Sequence, residues 1–185
     1  MERSSGFSLV ELMVGLGVAA ILISVAVPGF ENVTLDNRRD AALMQLMGAI
    51  QLARSEAVKR RETVVLCKSA DGASCASGGA IGWADGRLVF SNLDEDDPPA
   101  VDAGETVIRV YPALSDTSAL VAEDLVASTE IDALAFDAAG ETEARSLFTY
   151  CDGRGASEAQ GVLVARTGRP RIVDSYPDGG ALVCP

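Results

Sequence analysis

Leu12 to Val27 is apolar apart from Ser24, and a single carboxylate, Glu11, stands at the head of that run. From Phe7 to Val27 the only polar side chains are Ser8, Glu11 and Ser24. At about 1.5 Å per residue this stretch makes roughly 30 Å of helix, enough to cross a hydrocarbon core. Pro28-Gly29 predicts a bend or a local loosening of the helix. Helical periodicity then resumes. Leu43, Met47, Ile50 and Ala57 recur at three- and four-residue steps, with Leu46 and Ala53 beside them, so one stripe is apolar. Met44 and Met47 are expected in the core, and Asp36, Arg38, Arg39, Asp40 and Gln45 on the wetter side. Lys59-Arg60-Arg61 crowd the end, where cations complement the helix dipole. The pattern predicts one long helix over roughly 7–60.

After Arg61 the pattern changes to strands and turns. Strands are expected over Thr63 to Cys67, Ile81 to Phe90, Thr106 to Tyr111, Ile131 to Phe136, Ser146 to Cys151, Gly161 to Arg166 and Arg171 to Asp174. Asp71-Gly72 to Gly79 reads as a loop, and Trp83 as a core aromatic on a strand. Turn signals fall at Ala139-Gly140, Asp152-Gly153, Thr167-Gly168-Arg169-Pro170 and Asp178-Gly179-Gly180. One long helix followed by a run of strands predicts an α+β fold. The N-terminal helix packs on a C-terminal antiparallel β-sheet domain.

Glu11 is the anomaly. A charged side chain at a bilayer centre costs about 2.5–3.5 kcal/mol on insertion scales, so a plain anchor has no reason to carry it. A secretory leader would show a basic start, an apolar stretch of about 7–15 residues and a small-residue cleavage site. Here the run is longer, holds Glu11 and ends in Val27-Pro28-Gly29. Gly6-Phe7-Ser8-Leu9-Val10-Glu11-Leu12-Met13 resembles the prepilin motif of type IV pilins and type II secretion pseudopilins. The resemblance implies a leader over 1–6, cut between Gly6 and Phe7 by a prepilin peptidase, and N-methylation of Phe7. It implies a transmembrane or filament-core helix over 7–27, an amphipathic continuation over 28–61 and a periplasmic β-rich domain over 62–185. It also gives Glu11 a partner as an assembly contact: the N-terminal ammonium of a neighbouring subunit, so that both charges are buried as a pair.

The chain has 185 residues, a net charge of −12 and no His. That leaves room for one ordinary soluble domain beyond the apolar segment. The charge argues against a general nucleic-acid coat. The missing His removes most general-base, triad and zinc chemistry, and nothing gathers carboxylates into a catalytic pair. The pattern calls for no enzyme activity, no cofactor and no metal. Cys67, Cys75, Cys151 and Cys184 form no C-x-x-C pair, and an even count facing the periplasm suggests disulfides. Three pairings can be drawn, and sequence does not choose among them. Cys67–Cys75 with Cys151–Cys184 is favoured because it closes one tight local loop and ties the C-terminus to a strand. The acidic run Asp94-Glu95-Asp96-Asp97, with Asp102 and Glu105 nearby, offers oxygen donors for calcium, against the simpler reading of a solvated hairpin tip.

The second half narrows the resemblance to the GspH/FimT group of minor pilins. Ala53-Arg54-Ser55-Glu56-Ala57-Val58-Lys59-Arg60 before Val64-Val65-Leu66-Cys67 carries it, as do Gly82-Trp83, Leu88-Val89-Phe90 and Gly104-Glu105-Thr106. So do Phe136, Gly140, Phe148, Cys151 and Thr167-Gly168-Arg169-Pro170-Arg171. Ala84-Asp85-Gly86-Arg87 departs from the pattern as an insertion in the usual tryptophan strand. The resemblance implies a subunit that helps initiate or cap a type IV pilus or a type II secretion pseudopilus. It implies a single inner-membrane pass and other minor pilins or pseudopilins as partners. Its alternative is a DNA-uptake subunit. Some members bind DNA through a Gly-Arg-x-Arg turn, which Gly168-Arg169-Pro170-Arg171 matches, making Arg169 and Arg171 the candidate phosphate contacts. The plainer reading pairs Arg154, Arg166, Arg169 and Arg171 with acids such as Asp152, Glu158 and Asp174.

Overall fold

The computed structural model describes residues 7–114 and 118–185, leaving aside the side chains of residues 25–28. Helix α1 (Leu9–Arg60) is followed by β1 (Thr63–Lys68), β2 (Arg87–Asn92), β3 (Val107–Tyr111), β4 (Ala119–Asp124), β5 (Thr129–Glu130), β6 (Ala133–Phe136), β7 (Ser146–Cys151), β8 (Gln160–Val164) and β9 (Pro170–Val173). A short 3-10 turn occupies Ala156–Glu158. Contacts divide the chain into two units, one up to Arg38 and one from Arg39 to Pro185.

In the first unit, every residue from Phe7 to Ser24 is exposed. The helix there is long and apolar enough to cross a membrane. It continues through Pro28-Gly29 as one helix, as the predicted span of roughly 7–60 requires. Proline removes one N–H from the ladder, and the flanking turns hold the helix regardless.

In the second unit, α1 buries Ala42, Leu43, Leu46, Ala49, Ile50, Ala53 and Ala57. Leu43, Leu46 and Ile50 are no more than 1 % exposed, each worth about 1.5–3 kcal/mol. Met44 is instead 60 % exposed and Met47 only partly buried. Met44 follows Leu43 directly, so the helical turn carries it off the stripe. Gln45 and Arg39 also leave the wet side. Gln45 accepts a hydrogen bond from the buried Arg87, and Arg39 donates to the Glu158 carbonyl.

Two antiparallel sheets close on this stripe, with strand orders β3-β2-β1-β6 and β5-β4-β7-β8-β9. Alternation gives each sheet two apolar faces. Val64, Leu66, Val89, Leu134 and Phe136 of the first sheet face the helix core. From the second sheet come Leu120, Ala122, Phe148, Tyr150, Val162 and Val164. The outward residues form two satellite clusters. Val65, Cys67, Leu88 and Phe90 pack with Cys75, and Leu147, Cys151 and Leu163 pack with Leu182 and Cys184. Disulfides Cys67–Cys75 and Cys151–Cys184 hold the segments that cover these outer faces.

Two expectations change. β4 and β5 were not foreseen. Ala119-Leu120-Val121-Ala122-Glu123-Asp124 is rich in residues poor in strand propensity, yet it pairs with β7 over its full length. Trp83 is fully buried, but on a turn rather than a strand. Asp85 closes that turn by accepting the Gly82 N–H at 2.7 Å and donating its own N–H to the Gly82 carbonyl. Gly86 then needs its φ of 136°, because a Cβ would fall on the Ser69 carbonyl. Trp83 reaches the core from this turn, donating to the Ile131 carbonyl at 2.7 Å and meeting Phe148 edge-on at 4.9 Å.

The disulfides should contribute unequally. They span 8 and 33 residues, for which loop entropy gives about 2.5 and about 4 kcal/mol. Denaturant unfolding of the full chain in detergent checks this. Cys151→Ser with Cys184→Ser should cost more than Cys67→Ser with Cys75→Ser, and equal losses would count against covering by entropic closure.

Candidate functional site

The helix start is built by Ser8. Its Oγ accepts the Glu11 backbone N–H at 3.2 Å, and its carbonyl accepts the Leu12 N–H. Ser8-Leu9-Val10-Glu11 is thus a Ser-x-x-Glu capping sequence, a helix-start signal that the chain carries in its local sequence. Capping engages the Glu11 amide and leaves its carboxylate without a side-chain partner among the described residues. Phe7 is 80 % exposed beside it. Gly6 lies outside the described residues.

At the other end of α1, Arg54 joins three distant segments. Its Nε donates to the carbonyls of Gly140 and Thr167, both at 3.1 Å. Gly140 and Gly168 adopt φ of 76° and 71°. A Cβ on Gly140 would press Val58 at 2.8 Å, and one on Gly168 would fall on the Gly140 carbonyl. The helix end, the turn after β6 and the turn between β8 and β9 therefore interlock, and only glycine fits at both turns. The Gly-Arg turn has a packing reason of its own.

Arg169 and Arg171 are exposed and, like Arg166, make no ion pair among the described residues. Arg169 borders an open groove with Gln51 and Arg54. Arg171 sits on edge strand β9 opposite Leu163. Arg154 does not join them. It pairs with Asp152 at 2.8 Å, and this bond holds the Asp152 carboxyl below the usual carboxylate range. Glu158 lies within ion-pair reach of Arg39, and Asp174 accepts from Gln160.

Asp94, Asp96 and Asp102 bring carboxylate oxygens within 4.8 Å of one another. Asp96 already accepts the Ala100 N–H, and Glu105 accepts those of Leu93 and Asp102. These acids fold the loop they sit on.

Two buried cations escaped the sequence reading. Lys68 is fully buried against Asp132, Glu130 and the Gly78 carbonyl. Arg87 is fully buried with no carboxylate partner among the described residues, donating to Gln45 and the Trp83 carbonyl, and burial lowers its pKa to about 10. No local pattern marks either position, since their side-chain partners Gln45, Glu130 and Asp132 lie far off in sequence.

An N-terminal apolar helix whose later turns pack on antiparallel sheets defines a pilin-like protein. A family model described as type II transport protein GspH matches residues 42–168, and one described as the prokaryotic N-terminal methylation motif matches residues 1–27. The chain belongs to the GspH family, whose members are structural pilins and pseudopilins. The GspH match runs from the buried stripe to Gly168, so it holds the Arg54–Gly140–Gly168 interlock and stops short of Arg169 and Arg171. The structure is similar to the type IV minor pilin FimU of Pseudomonas aeruginosa, at 20% identity and TM-score 0.55, covering 81% of this chain and 96% of that one. It is also similar to the minor pseudopilin EpsH of the Vibrio cholerae type II secretion system, at 11% identity and TM-score 0.51, covering 75% and 95%. These likenesses show the fold. No curated protein matches. The DNA-uptake alternative gains no specific support from these comparisons.

The interlock predicts that Gly168→Ala destabilises the globular unit by about 1–3 kcal/mol, through the strained φ and the clash. Arg54→Ala should cost a similar amount by leaving two carbonyls unpaired. Thermal unfolding checks both, and a neutral Gly168→Ala would refute the interlock.

Proposed function

We propose that this chain is a minor filament subunit of a type IV pilus or a type II secretion pseudopilus, matured at Phe7 and docked through Glu11. A prepilin peptidase cuts between Gly6 and Phe7, Phe7 is N-methylated, and the C-terminal unit lies in the periplasm. The carboxylate of Glu11 then meets the Phe7 ammonium of a neighbouring subunit. The observation that carries this reading is the Glu11 side chain, partnerless among the described residues, on an exposed apolar helix.

The magnitudes fit. A carboxylate and an ammonium 4 Å apart attract by about 4 kcal/mol at an effective dielectric near 20. That offsets the roughly 3 kcal/mol cost of placing one carboxylate in the apolar phase. Close packing of Leu9, Val10 and Met13 against neighbouring helices supplies the remainder. The same four-residue sequence serves both steps, since Ser8 caps the helix while Glu11 projects. Other minor pilins or pseudopilins are the partners, and the chain primes or caps the filament rather than forming its bulk.

Glu11→Ala should leave membrane insertion and processing intact and lower incorporation into filaments by about tenfold or more, a loss of at least 1.4 kcal/mol. Quantitative immunoblots of membrane and sheared-filament fractions measure this. Unchanged incorporation would rule out charge pairing at this position.

A further inference from the structure

Strand β6 is an edge of the first sheet, with one side paired to β1 and the other open. The Lys68 N–H donates to the Asp132 carbonyl, which sets the phase of that ladder. Leu134 and Phe136 therefore turn their peptide groups toward β1, and Ala133 and Ala135 turn theirs away from it. No backbone partner exists for these outward groups among the described residues. Natural edges are blunted by Lys, Pro, bulges or a covering segment. β6 reads Ala-Leu-Ala-Phe and carries none of the first three. Its small outward residues leave room for a second chain.

The open edge borders a groove of about 520 Å³. Glu95, Asp96, Asp97, Asp124, Asp132 and Glu143 line it, and among the described residues no Lys or Arg does. Lys68 neutralises Asp132 from beneath. The other five acids have no ion pair among the described residues.

We propose that this groove receives an extended basic segment of another protein, added as a strand to β6. Backbone groups of Ala133 and Ala135 supply up to four hydrogen bonds, and the acidic rim selects Lys or Arg side chains. Groove occupancy needs only the globular unit, so it is separable from the role of Glu11.

The test uses the full chain in detergent and a fluorescein-labelled peptide of alternating Lys and Thr, read by fluorescence polarisation. Saturable binding is expected. A Glu-Thr peptide should bind at least tenfold more weakly, and so should the Lys-Thr peptide with alternate amides N-methylated. Ala135→Pro removes only an outward N–H, which an edge strand tolerates. It should keep the thermal midpoint and weaken binding at least tenfold. Glu143→Lys with Asp97→Lys should weaken binding and flatten its salt dependence. Absence of saturable binding overturns the proposal. So does equal binding of the acidic or N-methylated peptides. The peptide controls decide the matter if Ala135→Pro fails to fold.

Discussion

The helix face from Ala42 to Ala57 is buried by two sheets that meet on it, and the rest of the globular unit is arranged around that contact. A single sheet covers one side of a helical stripe. Here the inner faces of two sheets contribute to one core with α1. Trp83 enters the same core from a turn, bonded to the Ile131 carbonyl just before β6 and packed on Phe148 of β7. Arg54 then fixes the helix end to the turns at Gly140 and Gly168. Because both sheets are apolar on their outer faces as well, each needs a cover, and the two disulfides hold those covers in place.

The long helix and most strands are legible in the chain because their signals are local: an apolar run, a three-four stripe, alternating apolar residues between Gly-rich turns. β4 is not, because Ala, Glu and Asp argue against a strand and only pairing with β7 makes it one. The placement of Trp83 fails for a related reason. The sequence shows an aromatic near a strand, whereas the Asp85 turn and the Gly86 close approach depend on where Ser69 lies. Met44 shows the limit of a stripe drawn from composition, since one residue of helical rotation separates core from solvent. Of the candidate site, Phe7, Glu11 and the arginine turn stand out as motifs. The Arg54 interlock and the burial of Lys68 and Arg87 do not, since their partners are brought in by the fold.

Charge is distributed by role. The surface acids fold loops, as Asp71 does by accepting the Ala73 and Ser74 N–H groups, which hold its carboxyl far below the usual range. The buried cations Lys68 and Arg87 tie strands to loops and to α1. Glu11 does neither: its amide is capped by Ser8, its carboxylate has no side-chain partner among the described residues, and it stands in the first turn of a helix apolar and long enough to cross a membrane. The proposed role of that carboxylate is contact with a neighbouring subunit.

Mass spectrometry of sheared filaments tests this most directly. The chain in the filament fraction should begin at N-methylated Phe7 and retain Glu11. A filament-borne chain that keeps Met1 to Gly6, or a mature chain confined to the membrane fraction, would contradict it.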